Sequence, residues 1–77
     1  MARIEIESDV TGTVWKIEVE EGASVTEGQT LIILESMKME IPVAAPTAGI
    51  IIELHVKEGD VVMEDQDIAT LEVLRAS

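Results

Sequence analysis

At 77 residues, with no cysteine and one histidine, the chain is one domain that neither disulfides nor a thiolate or multi-histidine metal site can brace. Five basic residues against 16 acidic ones, formally −11, set its surface against nucleic-acid phosphates and anionic lipid, so neither nucleic acid nor membrane is an expected partner. An apolar content of 47% with clear periodicity marks a folded domain rather than an acidic disordered tail; with no leader-like apolar region in "MARIEIESD", a cytoplasmic protein is expected.

Taken in chain order, the first segment, "RIEIE" (3–7), alternates apolar and polar residues as a strand with one wet face must. "KIEVE" (16–20) alternates in the same way after Gly12, and "TLIILES" (30–36) is a short run of branched aliphatics after Gly22 and Gly28. The glycines are expected to mark tight turns. "MEIPVAA" (39–45) follows, where Pro42 implies an edge strand or an outward-facing nitrogen and Pro46 marks the next turn. "ELHV" (53–56) and "DIATLEV" (67–73) complete the set. No window supports an amphipathic helix of useful length.

Shifted by 37 positions, residues 12–35 lie without gaps over 49–72. Gly12/Gly49, Val19/Val56, Glu21/Glu58, Gly22/Gly59, Gln29/Gln66 and Leu34/Leu71 are identical, and Val14/Ile51 and Ile17/Leu54 keep an aliphatic pair. The better matches, Val14 and Ile17, imply a bulge between them that leaves the phase of Trp15 open, its ring packed or half-packed. The expected architecture is all-β, a flattened barrel or sandwich of about eight short strands, four per half, related by an internal pseudo-two-fold. Lys38 aligns with Met1, so its hairpin should sit at the end opposite the chain termini.

That hairpin breaks a local rule. "TLIILES" runs into "MEIPVAA" with only Met37 and Lys38 between them, a two-residue loop without the Gly or Asn that a type I′ turn favours. Such violations point to function, although a lysine in a turn is ordinarily just a solvated charge. Met on both sides can be core filler, but neighbouring pleat positions cannot all face one core, so at least one is expected in solvent.

The stretch "ESMKME" (35–40), set between two glycine-punctuated half-repeats, resembles the attachment signature of the biotinyl domain of biotin-dependent carboxylases. The resemblance extends through the Val19–Glu35 pattern and "APTAG" (45–49), over essentially one domain spanning 1–77, and is that of a free-standing biotin/lipoyl attachment protein or of a domain of a larger carboxylase. It implies a carrier rather than an enzyme. Lys38 would be the lysine acylated by biotin, and Glu35, Met37 and Met39 would help a biotin protein ligase recognise it. The implied partners are that ligase, a biotin carboxylase and a carboxyltransferase. Ser36 stands where the family usually has alanine, and "DVTGTV" (9–14) lacks the family's usual proline. A lysine side chain is charged at neutral pH and a poor nucleophile alone, which suits a passenger arm loaded by a separate enzyme.

Two rivals remain open. A lipoyl domain shares the fold and would carry lipoate, but its usual attachment context is Asp-Lys-Ala. A β-module that binds a partner through exposed strand edges would need no modification. His55 has no nucleophile beside it in sequence and reads as a solvated or lightly hydrogen-bonded side chain.

Overall fold

The computed structural model describes residues 2–73, an all-β molecule of eight strands. The first half supplies β1 (Arg3–Glu7), β2 (Gly12–Ile17), β3 (Ser24–Val25) and β4 (Thr30–Ser36). The second supplies β5 (Met39–Ala44), β6 (Gly49–Leu54), β7 (Val61–Val62) and β8 (Asp67–Val73). Two four-stranded sheets result, ordered β1-β8-β6-β3 and β5-β4-β2-β7, with every pairing antiparallel. A shift of 37 carries β2, β3 and β4 onto β6, β7 and β8 residue for residue and exchanges one sheet order for the other. The sequence repeat is therefore a structural pseudo-two-fold. Met1, the repeat counterpart of Lys38, lies outside the described residues.

The core is built from the same pairs. Ile6/Val43, Val14/Ile51, Val19/Val56, Val25/Val62, Leu31/Ile68, Ile32/Ala69 and Leu34/Leu71 are all buried, each half supplying one member. Each sheet takes two strands from either half, so neither half can bury its apolar face without the other. The bulge expected between Val14 and Ile17 is present and falls at Trp15: Val14 pairs Leu34 and Lys16 pairs Ile33, leaving Trp15 as the extra residue. The same irregularity recurs at Ile52, between Ile51 opposite Leu71 and Glu53 opposite Thr70.

Two sequence readings need correction. The alternation in "KIEVE" and "ELHV" is real, but β2 stops at Ile17 and β6 at Leu54. At those points the backbone N–H groups turn to carboxylates of the opposite half, Ile17 N–H donating to Glu58 Oε2 (3.0 Å) and Leu54 N–H to Glu21 Oε2 (2.9 Å). The next N–H groups still reach the strands that β2 and β6 already pair with, Glu18 N–H donating to Leu31 O of β4 and His55 N–H to Ile68 O of β8, before Val19 and Val56 drop into the core. Gly12 and Gly49, for their part, are not turn glycines. They open β2 and β6, where a Cβ would stand 2.5 Å from Glu35 O and 2.3 Å from Glu72 O. Only glycine lets these strands pass so close to their neighbours.

The molecule is elongated, 42 × 18 × 17 Å. At one end β1 and β8 begin and finish beside each other, with Val73 N–H donating to Ala2 O and Arg3 Nε 3.7 Å from Glu72 Oε2. β1 runs from that end toward the other, where the 8–11 connector meets the β4–β5 hairpin. The turn carrying Lys38 thus lies opposite the described ends of the chain, as the repeat implies.

Candidate functional site

β4 and β5 pair from Thr30 opposite Ala44, shift register at Leu31, and then run in unbroken register from Ile32 opposite Val43 up to Glu35 opposite Glu40 and Ser36 opposite Met39. Only Met37 and Lys38 remain to turn the chain, and both take left-handed backbone, with φ of 52° and 66°. This is the backbone signature of a type I′ turn, whose twist matches that of the flanking strands. Neither residue is one that visits this region easily, so each position costs about 1 kcal/mol relative to glycine or asparagine. The hairpin is tight because its register leaves only two residues for the turn, and neither is of a type that this turn geometry selects.

The side chains at the tip are unused by the fold. Met37 is 92% exposed and Met39 64%, and Lys38 is exposed between them. Among the described residues the ion pairs are Arg3 with Glu72 and His55 with Glu5, so Lys38 takes part in none, nor does its side chain hydrogen-bond. Glu35 and Glu40 face each other across the rung below the turn, where two like charges oppose. They border the lysine with negative charge without pinning it.

The base of the hairpin, by contrast, is braced. Ser36 Oγ donates to Thr11 O at 3.0 Å, tying the end of β4 to the connector before β2. Gly12, next in chain, gives β2 the room to lie against the backbone of Glu35. Glu64 N–H donates to Thr11 Oγ1 at 3.1 Å, fastening the same connector to the segment after β7. Thr11 and Gly12 were not among the site residues read from sequence; the Gly12/Gly49 identity was the available signal, but it reads as a turn until the close approach is seen. Ser36 is an anchor as well as a small residue.

His55 lies on the other sheet, remote from Lys38. Its Nε2 is 2.8 Å from Thr70 Oγ1, and the Thr70 hydroxyl donates to the Glu5 carboxylate at 2.7 Å. The hydroxyl proton points at Glu5, so His55 is placed to donate to Thr70 and not to act as its base. The lightly hydrogen-bonded histidine expected from sequence is what the fold contains. Pro42 also sits as expected, on β5 at the edge of its sheet.

Comparison with known proteins bears on this hairpin. The sequence model of a family described as "Biotin-requiring enzyme" matches residues 5–71. A biotin/lipoyl attachment protein of Bacillus subtilis (strain 168) is 47% identical over 45 residues, 58% of this chain and 62% of that protein. A biotinylated protein TB7.3 homolog of Mycobacterium leprae is 43% identical over 47 residues, 61% of this chain and 66% of its own length. The chain thus spans just under two thirds of each of these relatives. Among solved structures, a single-chain, multi-domain long-chain acyl-CoA carboxylase superposes with a TM-score of 0.89 at 29% identity, over 94% of this chain and 7% of that one.

Proposed function

Since the chain belongs to the biotin/lipoyl attachment family, we propose that it is a biotin carboxyl carrier, with biotin joined through an amide to Lys38 Nζ. One observation carries the assignment of the site: Lys38 stands at the tip of a strained two-residue turn, exposed between Met37 and Met39 and committed to no other contact among the described residues. A covalent attachment point needs a side chain that the fold does not need, on a base that does not move, and this hairpin supplies both. Bound biotin supplies a ureido nitrogen that can hold a carboxylate for transfer.

The chain's own residues then have definite tasks. Lys38 contributes the amine nitrogen: its ammonium loses one proton to free the lone pair and a second as the N–C bond forms and the bond from the acyl carbon of ligase-activated biotin to its leaving group breaks, so its positive charge is lost. Met37 and Met39 present soft, adaptable apolar contacts to whatever enzyme closes over the turn, and Glu35 marks the approach with a negative charge. Ser36, Thr11 and Gly12 hold the base rigid, so the arm swings from a fixed point. The partners proposed are a biotin protein ligase, a biotin carboxylase and a carboxyltransferase, in the cytoplasm. Support for the carboxylase setting comes from the likeness of this chain to a small part of an acyl-CoA carboxylase. The protein is on this reading a carrier and not itself the catalyst.

The test is an intact mass of the chain after incubation with biotin, ATP and a biotin protein ligase, beside a Lys38→Arg control. One biotinyl adduct on the unaltered chain alone is expected. An adduct retained by Lys38→Arg would move the site. A lipoyl adduct after lipoylation, with no biotinyl adduct under ligase, would place the chain on the lipoyl side of its family.

A further inference from the structure

The pseudo-two-fold provides an internal control for reading the surface, because each exposed position on one sheet has a counterpart on the other with the same backbone. The exposed large apolar residues do not respect that symmetry. Trp15 (48%), Val61 (69%) and Met63 (60%), with Met37 and Met39, make up the exposed large hydrophobics among the described residues. All of them lie on the sheet β5-β4-β2-β7, on its hairpin or directly after its edge strand.

The outer faces can be compared position by position. On the hairpin sheet the pleat turns Pro42, Ile33, Trp15 and Val61 outward. Their counterparts on the other sheet are Glu5, Thr70, Ile52 and Ser24, and Met63 corresponds to Thr26; of the other outward positions, Lys16 corresponds to Glu53, and Thr13 alone faces the reverse exchange, to Ile50. The same fold thus tolerates polar residues at nearly every one of these places, and the apolar choice on one sheet serves no need of the core. The strip is continuous with the lysine turn. Thr13 pairs with Glu35 on one side and Val61 on the other, so Glu40, Glu35, Thr13 and Val61 form one row just below the hairpin, with Trp15 behind it. From β5 to β7 that row spans roughly 14 Å at ordinary strand spacing.

From this asymmetry we infer that the outer face of the β5-β4-β2-β7 sheet, centred on Trp15, Val61 and Met63, is the docking surface for the enzyme that acylates Lys38. The inference rests on the reading of Lys38 as the attachment lysine and names the surface that brings the loading enzyme to it. An unloaded lysine is short, so an enzyme acting on its nitrogen must lay its own surface against the turn and the rows beside it, whereas a loaded arm reaches its later sites from further away. Glu35, Glu40 and Glu64 border the strip on its hairpin side, with Lys16 beside Ile33 on the far side, so the matching face of the ligase is an apolar strip bordered by lysine or arginine where it meets the hairpin. A second copy of this chain is a poor occupant, because each copy carries a formal charge of −11.

The test transplants residues that the fold already accepts. Trp15→Ile, Val61→Ser and Met63→Thr together give the hairpin sheet the residues of its counterpart, and Ser24→Val with Thr26→Met makes the reciprocal change on the other sheet. Steady-state loading by a biotin protein ligase with biotin and ATP is then measured as the concentration of each apo-protein is varied. The expected result is a KM about tenfold higher for the triple variant with kcat unchanged, and no change for the reciprocal one. Val61→Lys, a fully tolerable change at an exposed edge position, should move KM in the same direction on its own. An unaltered chain that loads well, with a triple variant of equal KM, overturns the docking surface and leaves the attachment lysine standing. An unaltered chain that is never loaded overturns both. Self-association that the triple variant abolishes, seen by sedimentation, would give the face to a second copy instead and refute the inference.

Discussion

Replacing Met37 with asparagine should make the protein more stable, although the change removes a large apolar side chain. Met37 is 92% exposed, so its truncation forfeits almost no packing. Its φ of 52° places it in the left-handed region, which asparagine enters at little cost and methionine does not. The relief amounts to about 1 kcal/mol, which in a domain of this size raises Tm by about 4–8 °C. Thermal unfolding followed by circular dichroism reads this directly, with Met39→Asn as the companion. Met39 begins β5 on ordinary extended backbone, so there asparagine gains nothing and loses strand propensity, and Tm should fall. A Tm for Met37→Asn equal to or below that of the unaltered chain would refute the claim that the turn stores strain. On the proposed role of Met37 as a ligase contact, the stabilised variant should also be a worse ligase substrate.

Gly12→Ala should cost about 1–3 kcal/mol in urea unfolding, because the new Cβ meets the backbone oxygen of Glu35 at 2.5 Å and backbone cannot swing aside. Unchanged stability would mean that β2 can withdraw from the hairpin base. Glu21→Ala and Glu58→Ala should each lower stability by about 0.5–1 kcal/mol and by similar amounts, since each removes one charge-assisted bond to a strand-end N–H of the opposite half; unequal losses would break the equivalence of the halves.

Much of this molecule is written in its 37-residue repeat, and the structure gives reasons for the identities. Glu21 and Glu58 end strands of the opposite half. Gln29 and Gln66 each accept a backbone N–H three residues back, from Thr26 and Met63 at 3.1 and 2.9 Å. Leu34 and Leu71 fill equivalent places in the core. The two-residue turn was legible from the strand patterns on either side of it, and the bulge between Val14 and Ile17 from the repeat register. The strand ends at Ile17 and Leu54 were not, because an alternating pattern looks the same where a carboxylate of the opposite half takes the backbone N–H. The bracing of the hairpin by Thr11, Gly12 and Ser36 was hidden for another reason: it joins residues 25 positions apart through a single side chain, which no local pattern records. The one-sided apolar strip needed the sheet order, since Trp15, Ile33 and Val61 become neighbours only when β4, β2 and β7 lie side by side.

Of the six strand pairings, β4 with β5 alone joins neighbours in the chain; β1 must wait for β8, and β3 for β6. As the polypeptide leaves the ribosome, the lysine hairpin and the β2–β4 pairing beside it can therefore form from residues 12–44 alone, while every pairing with β6, β7 or β8 must wait for the rest of the chain. A hairpin alone is at best marginally stable in water. An enzyme that judged its target by the turn alone would face unfinished chains as readily as finished ones. One that also feels for Val61, brought beside β2 and the hairpin only when both halves have interleaved, would load a chain after its folding is complete.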